Sequence, residues 1–401
     1  MDPDTETTSS LPDTTCTAVE SVDEIAPDAW DAVTAEASFF ACHRWQRFLE
    51  ERLTASVRYL LWHDGDGRLV AALPTYAGGP DVMPRPFTLT HVIHAEAGVP
   101  AGLSVLGGSA YGYQNDGLLI RPDVPSRERA ALARAMVGEF RSLARSLGAD
   151  HTAFLCVPRA RLDELTAAGY GHPSAGLLST VATLELSSPT FDGYLRSLSA
   201  HRRTEVGRER RIFRDSGLSW GPADVPGDFD EIARLIVATY EHHGYPPIDP
   251  AVIHGNLEAQ ARLFGEDTLV LVCRDEGRLV GAVSGFVHGS QWIVPWLGLD
   301  YEVARKTALY FNLGYYLPIE QAARRGGSRI DFGVNALHAK VLRGMDIEPK
   351  WALVEPSAGG EAGWSQAVRT HNRHALEEFR AANGERPAAL LDAKWTDLAP
   401  R

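Results

Sequence analysis

Gly67-Arg68-Leu69-Val70-Ala71-Ala72 returns later in the chain as Gly277-Arg278-Leu279-Val280-Gly281-Ala282, and Val22-Asp23-Glu24-Ile25 returns as Phe229-Asp230-Glu231-Ile232. The two echoes keep their order at nearly one offset, about 210 positions, which marks duplication of a whole domain rather than a short solenoid repeat. Each Gly-Arg-Leu-Val is the return of a β-hairpin. In the first copy Tyr59-Leu60-Leu61-Trp62 runs into the turn His63-Asp64-Gly65-Asp66-Gly67 and comes back over residues 69–74. In the second, Leu269-Val270-Leu271-Val272 turns at Arg274-Asp275-Glu276-Gly277 and returns over 279–287. Gly and Asp supply the positive-φ positions such turns need. An amphipathic helical stretch precedes each hairpin, at 30–49 in one copy and at 232–240 and 252–263 in the other.

Beyond its hairpin the second copy continues with a strand at 292–296 and a long helix over 303–325. That helix carries Leu309, Leu313, Tyr316 and Ile319 near one face, and a strand at 329–332 follows it. Strands and helices in this order predict an α+β fold, each copy being a mixed, largely antiparallel sheet flanked by helices. The expected organisation is an acidic disordered tail at 1–20, a first domain at 21–187, a basic linking helix at 188–217 and a second domain at 218–401.

The chain has 401 residues and a net charge of −13, from 39 Lys+Arg against 52 Asp+Glu. Ten of the acidic residues precede His43, a stretch without Lys or Arg, so the remainder is nearly balanced. Coating of DNA through bulk charge is excluded. No apolar run reaches the length of a membrane span and no secretory leader pattern opens the chain, so the expected location is the cytoplasm. Cys16, Cys42, Cys156 and Cys273 are scattered without zinc spacing and read as buried, inert thiols. His242-His243 followed by Asp249 has no ligand spacing either, and no metal or resident cofactor is expected.

Between the copies, residues 191–215 read as one helix with an Arg-rich face. Arg202, Arg203, Arg208, Arg210, Arg211 and Arg214 stand there against Glu205 and Glu209. Arg forks suit phosphate oxygens; the other reading is a solvated face with i,i+4 pairs to glutamate.

Helix, hairpin, strand, long helix, strand is the order of a GNAT-type acyltransferase domain. Two in tandem resemble the Fem-type and BioF2-like peptidoglycan-biosynthesis branch of that superfamily. The resemblance covers nearly everything after residue 20. It is carried by Ser38-Phe39-Phe40-Ala41-Cys42-His43-Arg44-Trp45, by Ala71-Ala72-Leu73-Pro74-Thr75-Tyr76 and by Leu198-Ser199-Ala200-His201-Arg202-Arg203. Its most specific part is the helix running into Ile330-Asp331-Phe332-Gly333, followed by Lys340 and Arg343-Gly344.

The resemblance implies transfer of an acyl or aminoacyl group to an amine-like nucleophile. Its donor is aminoacyl-tRNA in the Fem branch and acyl-CoA in ordinary GNAT enzymes. Ordinary GNAT domains cradle the CoA pyrophosphate on backbone N–H groups of a glycine-paired turn between a strand and a helix. The corresponding stretch here, Gly298-Leu299-Asp300-Tyr301-Glu302, lacks that glycine pair, which favours the acceptor end of aminoacyl-tRNA. An acyl-CoA-dependent N-acyltransferase and a non-catalytic tandem binding protein are the alternatives. The acceptor is a small-molecule or peptide amine or hydroxylamine.

Lys340 is one of only four lysines and is the expected cation for negative charge on the tetrahedral intermediate or the leaving ribose oxygen. Asp331 and Glu320 are candidate bases, with structural pairing the favoured reading of each carboxylate, and His338 is a candidate base near neutral pH with packing or solvation as its other reading. Arg203, Arg208 and Arg211 are expected along the donor phosphates, with Arg343 orienting a phosphate and Glu320 and Asn335 beside the substrate. Tyr111 and Tyr113 are candidates for an acceptor cleft, and Trp296, Tyr310 and Tyr316 for the wall of an acyl pocket; core packing is the other reading of these rings. Covalent catalysis is not expected, since neither a serine elbow nor a Cys-His signature can be read.

Overall fold

A computed structural model describes residues 14–80, 82, 102–109, 111–171, 175–357 and 361–394. The first copy runs β1 (Thr15–Val19), α1 (Pro27–Val33), α2 (His43–Glu50), β2 (Ser56–His63), β3 (Leu69–Gly78) and β4 (Ser104–Gly107). It continues with β5 (Leu119–Ile120), α3 (Ser126–Ser146), β6 (His151–Val157), α4 (Arg159–Ala167) and β7 (Gly176–Glu185). After α5 (Phe191–Ser197) and α6 (Ala200–Arg214) the same order starts again, with β8 (Ser219–Pro222), α7 (Phe229–His242), α8 (Pro250–Phe264), β9 (Thr268–Asp275) and β10 (Arg278–His288). Then come β11 (Gln291–Leu299), α9 (Tyr301–Thr307), α10 (Leu317–Arg324), β12 (Arg329–Asp331), α11 (Leu337–Val341) and β13 (Asp346–Pro356). Helices α12 (Glu361–Asn383) and α13 (Glu385–Lys394) end the described chain.

The pairing repeats as well. Strands β1, β2, β3 and β4 pair antiparallel in sequence, and β4 pairs parallel with β6. Strands β8, β9, β10 and β11 do the same, with β11 parallel to β12. Each copy is thus a mixed, largely antiparallel sheet, as expected for the α+β class.

The compact units are residues up to Thr180 together with Glu348 onward, and Val181–Ile347. They differ from the expected bounds of 21–187 and 218–401, because each copy gives up its last strand. Strand β6 pairs antiparallel with β13, from the end of the second copy, whereas β12 pairs with Thr183–Glu185 of β7. Sequence order alone carries no sign of such an exchange.

Three further expectations are corrected. Residues 1–13 lie outside the described ones, but Thr15–Val19 of the expected tail form β1, paired from Thr15 opposite His63 to Val19 opposite Tyr59. The exposed edge of the β2–β3 hairpin offers unpaired backbone groups, and this short Thr/Val-containing segment takes them. Cys16, on that strand, is exposed, whereas Cys42, Cys156 and Cys273 are buried and all four are free. The expected helix over 191–215 is two helices, because Ser199 is extended and its side chain caps the N–H of Arg202.

The expected helix over 303–325 is also interrupted. Ala308 has left-handed φ of 54°, and Asn312–Tyr316 form a π-turn directly ahead of α10. Pro318 accounts for the widened turn: it has no N–H to give, and its ring would strike the carbonyl four residues back, at Gly314.

In each unit a helical layer packs on the hairpin. Trp30 and Val33 meet Tyr59, Leu61, Leu69 and Ala72 in the first. Phe229, Ile232, Ile236, Ile253 and Leu257 meet Val272, Leu279 and Ala282 in the second. Gly298 lets α7 lie directly on β11, since a Cβ there would stand 2.7 Å from the backbone nitrogen of Ile236.

Candidate functional site

The motif around Lys340 is a closed loop in the second unit. Strand β12 ends at Asp331, whose Oδ1 accepts the Gly333 N–H at 2.8 Å, a side-chain turn that bends the chain off the sheet. Gly333, Ala336 and Gly344 all have positive φ, at 71°, 53° and 80°, so the loop is tight at both ends of α11. Lys340 points back into it. Its Nζ donates to the carbonyls of Phe332 and, at 3.2 Å, Gly333, and only 6% of the residue is exposed. Burial pushes the Lys340 ammonium down to about 7, with the charge of Asp331 pulling the other way. Its charge is therefore weakly held and is lost as pH rises through about 7.

One turn further along, Arg343 enters a second buried cluster. Its Nη2 donates to both carboxylate oxygens of Glu209 at 2.8 Å, its Nε to the Tyr316 hydroxyl at 2.8 Å and its Nη1 to the Ala339 carbonyl at 2.9 Å. Tyr316 donates in turn to Glu209, and the guanidinium lies 3.8 Å from the centre of the Phe311 ring. Burial works against the Arg343 charge, while Tyr316 and Glu209 outweigh it and hold the guanidinium firmly protonated. Four N–H groups are thus committed inside the protein, which corrects the expectation that Arg343 orients a donor phosphate. Tyr316 is likewise fully buried in this network rather than walling an open pocket.

Helix α6 turns Val206, Glu209 and Phe213 inward and keeps Arg203, Arg208 and Arg211 exposed. Arg203 is spent locally, its Nη1 capping the carbonyls of Leu198, at 2.7 Å, and Arg196 at the end of α5. Arg208 and Arg211, three residues apart on one face, are exposed. Glu320 pairs with Arg210 at 2.8 Å and with Arg324, a structural assignment in place of a substrate contact. His338 and Asn335 are exposed on the outside of the Lys340 loop. Tyr310 bonds through its hydroxyl to that of Tyr315 at 2.6 Å, and Trp296 packs edge-on against Phe286.

Tyr111 and Tyr113 belong to the first unit. Tyr111 packs against Tyr76 with left-handed φ of 64°, and Tyr113 lies edge-on to Phe40. Their loop is fixed by Asp116, whose buried carboxylate accepts from the Ser38 N–H at 3.1 Å, the Ser38 hydroxyl at 2.5 Å and the Ser109 hydroxyl at 3.1 Å. This gives the Ser38-Phe39-Phe40 motif a physical basis: the serine holds the loop and the second phenylalanine packs on it.

At the start of α9 the Asp300 carboxylate accepts the N–H groups of Glu302, at 3.0 Å, and Val303, at 3.3 Å. Arg278 donates to its other oxygen at 2.8 Å. Burial disfavours that charge, but Arg278 and the two N–H groups hold the carboxyl below its usual range. As the N-cap of α9, Asp300→Ala is expected to lower stability by about 1 kcal/mol, read from the denaturant midpoint at unchanged slope.

Glu209 was the residue to find from sequence. It stands three positions after Val206 and four before Phe213, a carboxylate inside an apolar helical stripe. Among the described residues no group of three or more His, Cys, Asp or Glu is placed to hold a metal ion, and no helix is long and apolar enough to cross a membrane.

Residues 200–341, which include Lys340, Glu209 and Tyr316 and end just before Arg343, match the family described as Acetyltransferase (GNAT) domain. No curated protein matches the chain. Among solved structures it is similar to FemX, with a TM-score of 0.58 at 12% identity, covering 85% of this chain and 97% of that one. It is similar to a conserved protein of unknown function from Bacteroides thetaiotaomicron, at 0.52 and 10% over 85% and 99%. A third is the C-terminal DUF2156 domain of a putative lysylphosphatidylglycerol synthetase from Agrobacterium fabrum, at 0.51 and 17% over 89% and 98%. At these identities the structures speak for the fold alone. Residues 200–341 thus carry the match to a GNAT-type acetyltransferase domain, and the element order of that domain occurs twice in the chain. The fold is the one seen in FemX, in keeping with the resemblance carried by the motifs at 315–344.

Proposed function

We propose that this chain is a cytoplasmic aminoacyltransferase that moves an aminoacyl group from charged tRNA to an amine or hydroxylamine of a small molecule or peptide. The observation that carries the choice of donor is the Asp300 carboxylate on the N–H groups of Glu302 and Val303. In a CoA-dependent GNAT domain the N–H groups between this strand and helix receive a pyrophosphate. A fixed carboxylate there takes the donors and repels the anion. The exposed Arg208 and Arg211 offer a local phosphate-binding face on a chain whose bulk charge is negative.

In the reaction the acceptor nitrogen attacks the ester carbonyl, forming the N–C bond and a tetrahedral oxyanion. The bond from that carbon to the ribose oxygen then breaks, and the proton lost by nitrogen ends on the ribose hydroxyl. Lys340 is assigned the stabilisation of the negative charge, through the loop whose carbonyls it holds. No strong enzyme base is required, which leaves Asp331 its turn-forming role.

The test is to supply the protein with candidate amines and either charged tRNA or a set of acyl-CoA esters, following product by mass. RNase-sensitive product supports the reading; product from CoA esters with RNase present replaces it by the CoA-dependent one. If neither donor yields product and Lys340→Ala leaves the biological output intact, the chain is a binding protein. Arg208→Glu/Arg211→Glu is expected to raise KM for charged tRNA about tenfold and to shallow its salt dependence by one to two phosphate contacts. An unchanged KM removes this surface from donor binding.

A further inference from the structure

We infer that Glu209 is a positioning residue, locking the face that carries Arg208 and Arg211 to the loop that carries Lys340. The inference rests on the reading above in assigning work to those three residues, and it adds the part that holds them in register. Glu209 occupies the inward face of α6, where Val206 and Phe213 flank it and a leucine would serve packing better. Its carboxylate is bound by Arg343 through two hydrogen bonds and by the Tyr316 hydroxyl, and its backbone carbonyl accepts from Asn312 Nδ2 at 3.2 Å. Asn312 and Tyr316 are the two ends of the π-turn. Arg343 is tied just as closely to Lys340: its N–H donates to the Lys340 carbonyl at 2.9 Å, and the Tyr194 hydroxyl donates to its own carbonyl at 3.0 Å.

A single carboxylate therefore joins the Arg-bearing helix, the π-turn and the Lys340 loop. A buried ion pair is poor at adding stability compared with well-packed apolar groups of the same volume, but it fixes one geometry. Arg343 meets both carboxylate oxygens through Nη2 while its Nε meets Tyr316 and its Nη1 the Ala339 carbonyl, so α6 cannot slide without breaking the bonds to Glu209. A one-turn shift would break all three bonds to Glu209 together.

The test uses the full chain and its four lysines, which make peptide mapping simple. Glu209→Gln weakens the lock, and the apolar triple E209L/Y316F/R343M replaces it by packing. Brief acetylation with acetic anhydride is followed by mass, with exposed Lys306 as the rate reference and buried Lys350 of the first unit as the check on folding. In both variants Lys340 is expected to react about tenfold faster relative to Lys306 while Lys350 stays protected. With the donor that the wild type uses, kcat is expected to fall about tenfold or more with KM for that donor little changed, because Arg208 and Arg211 remain. The triple variant is expected to recover Tm without recovering kcat. Lys340 as protected as in the wild type in both variants, or kcat returning together with Tm in the triple, overturns the inference. A wild type that uses neither donor sinks the functional reading instead, and the labelling result still decides the positioning.

Discussion

Lys340→Ala is expected to lower kcat by about 10²- to 10³-fold, the scale of losing one electrostatic contribution to a developing oxyanion, since on the proposed reading its charge acts through the loop whose Phe332 and Gly333 carbonyls it holds. The expectation follows from where the ammonium lies. It is buried, held by the Phe332 and Gly333 carbonyls, and so presents its charge in a medium where charge acts strongly. Alanine also leaves two carbonyls unsatisfied, so Lys340→Met, which fills the space, is the companion variant; loss of kcat in a folded Met variant separates charge from packing. The same residue sets a pH dependence. Acting as a cation with a pKa pushed down to about 7, it is expected to make kcat fall as pH rises through that value. Lys340→Arg should remove that limb if the guanidinium fits. A kcat that rises through pH 7 in the wild type, after the acceptor's own titration is divided out, would mean that the neutral amine acts, and the cation role fails. Stability moves in the opposite direction. The folded pKa lies below the ordinary 10.5, so between about 7 and 10.5 the unfolded chain binds the extra proton, and this group's contribution rises with pH across that window.

The sequence was most readable where local chemistry decides the backbone. Both hairpins stand where Asp and Gly placed their turns, and the doubled Gly-Arg-Leu-Val return is the same strand in each copy. What it hid is non-local. The exchange of β7 and β13 depends on which strand edge is free after folding, and both strands read equally well in either copy. The break at Ala308 and the π-turn ahead of Pro318 interrupt a stripe of apolar residues that fits a continuous helix. Within the site, the sequence singled out Lys340, but exposure decided the fate of its companions. Arg343 and Tyr316 are turned inward by Glu209, while His338 and Asn335, only a few residues away, face outward. Motif spacing places residues on a loop; it does not say which way each side chain leaves it.

Arg343→Ala is expected to cost about 3–5 kcal/mol of folding stability, the scale for stripping one partner from a buried ion pair. Only 7% of Arg343 and 8% of Glu209 are exposed, so water cannot replace the lost guanidinium. The Glu209 carboxylate would keep only the Tyr316 hydroxyl, and the Phe311 ring would lose the cation stacked on it. The comparison that identifies the cause is the apolar triple E209L/Y316F/R343M, which is expected to recover most of the loss because no charge is left behind. Exposed pairs give the opposite result: Arg214→Ala, which breaks a contact to Asp215 with more than half of each side chain in solvent, is expected to change stability by less than about 0.5 kcal/mol. Denaturant midpoints at constant slope measure all three. An Arg343→Ala cost as small as that of Arg214→Ala would mean that solvent reaches the pair, and with it the argument that Glu209 sits in a dry, geometry-fixing joint would go. A large single cost together with a stable apolar triple leaves one account of why a carboxylate occupies an apolar stripe: the pair holds a geometry that packing alone does not select.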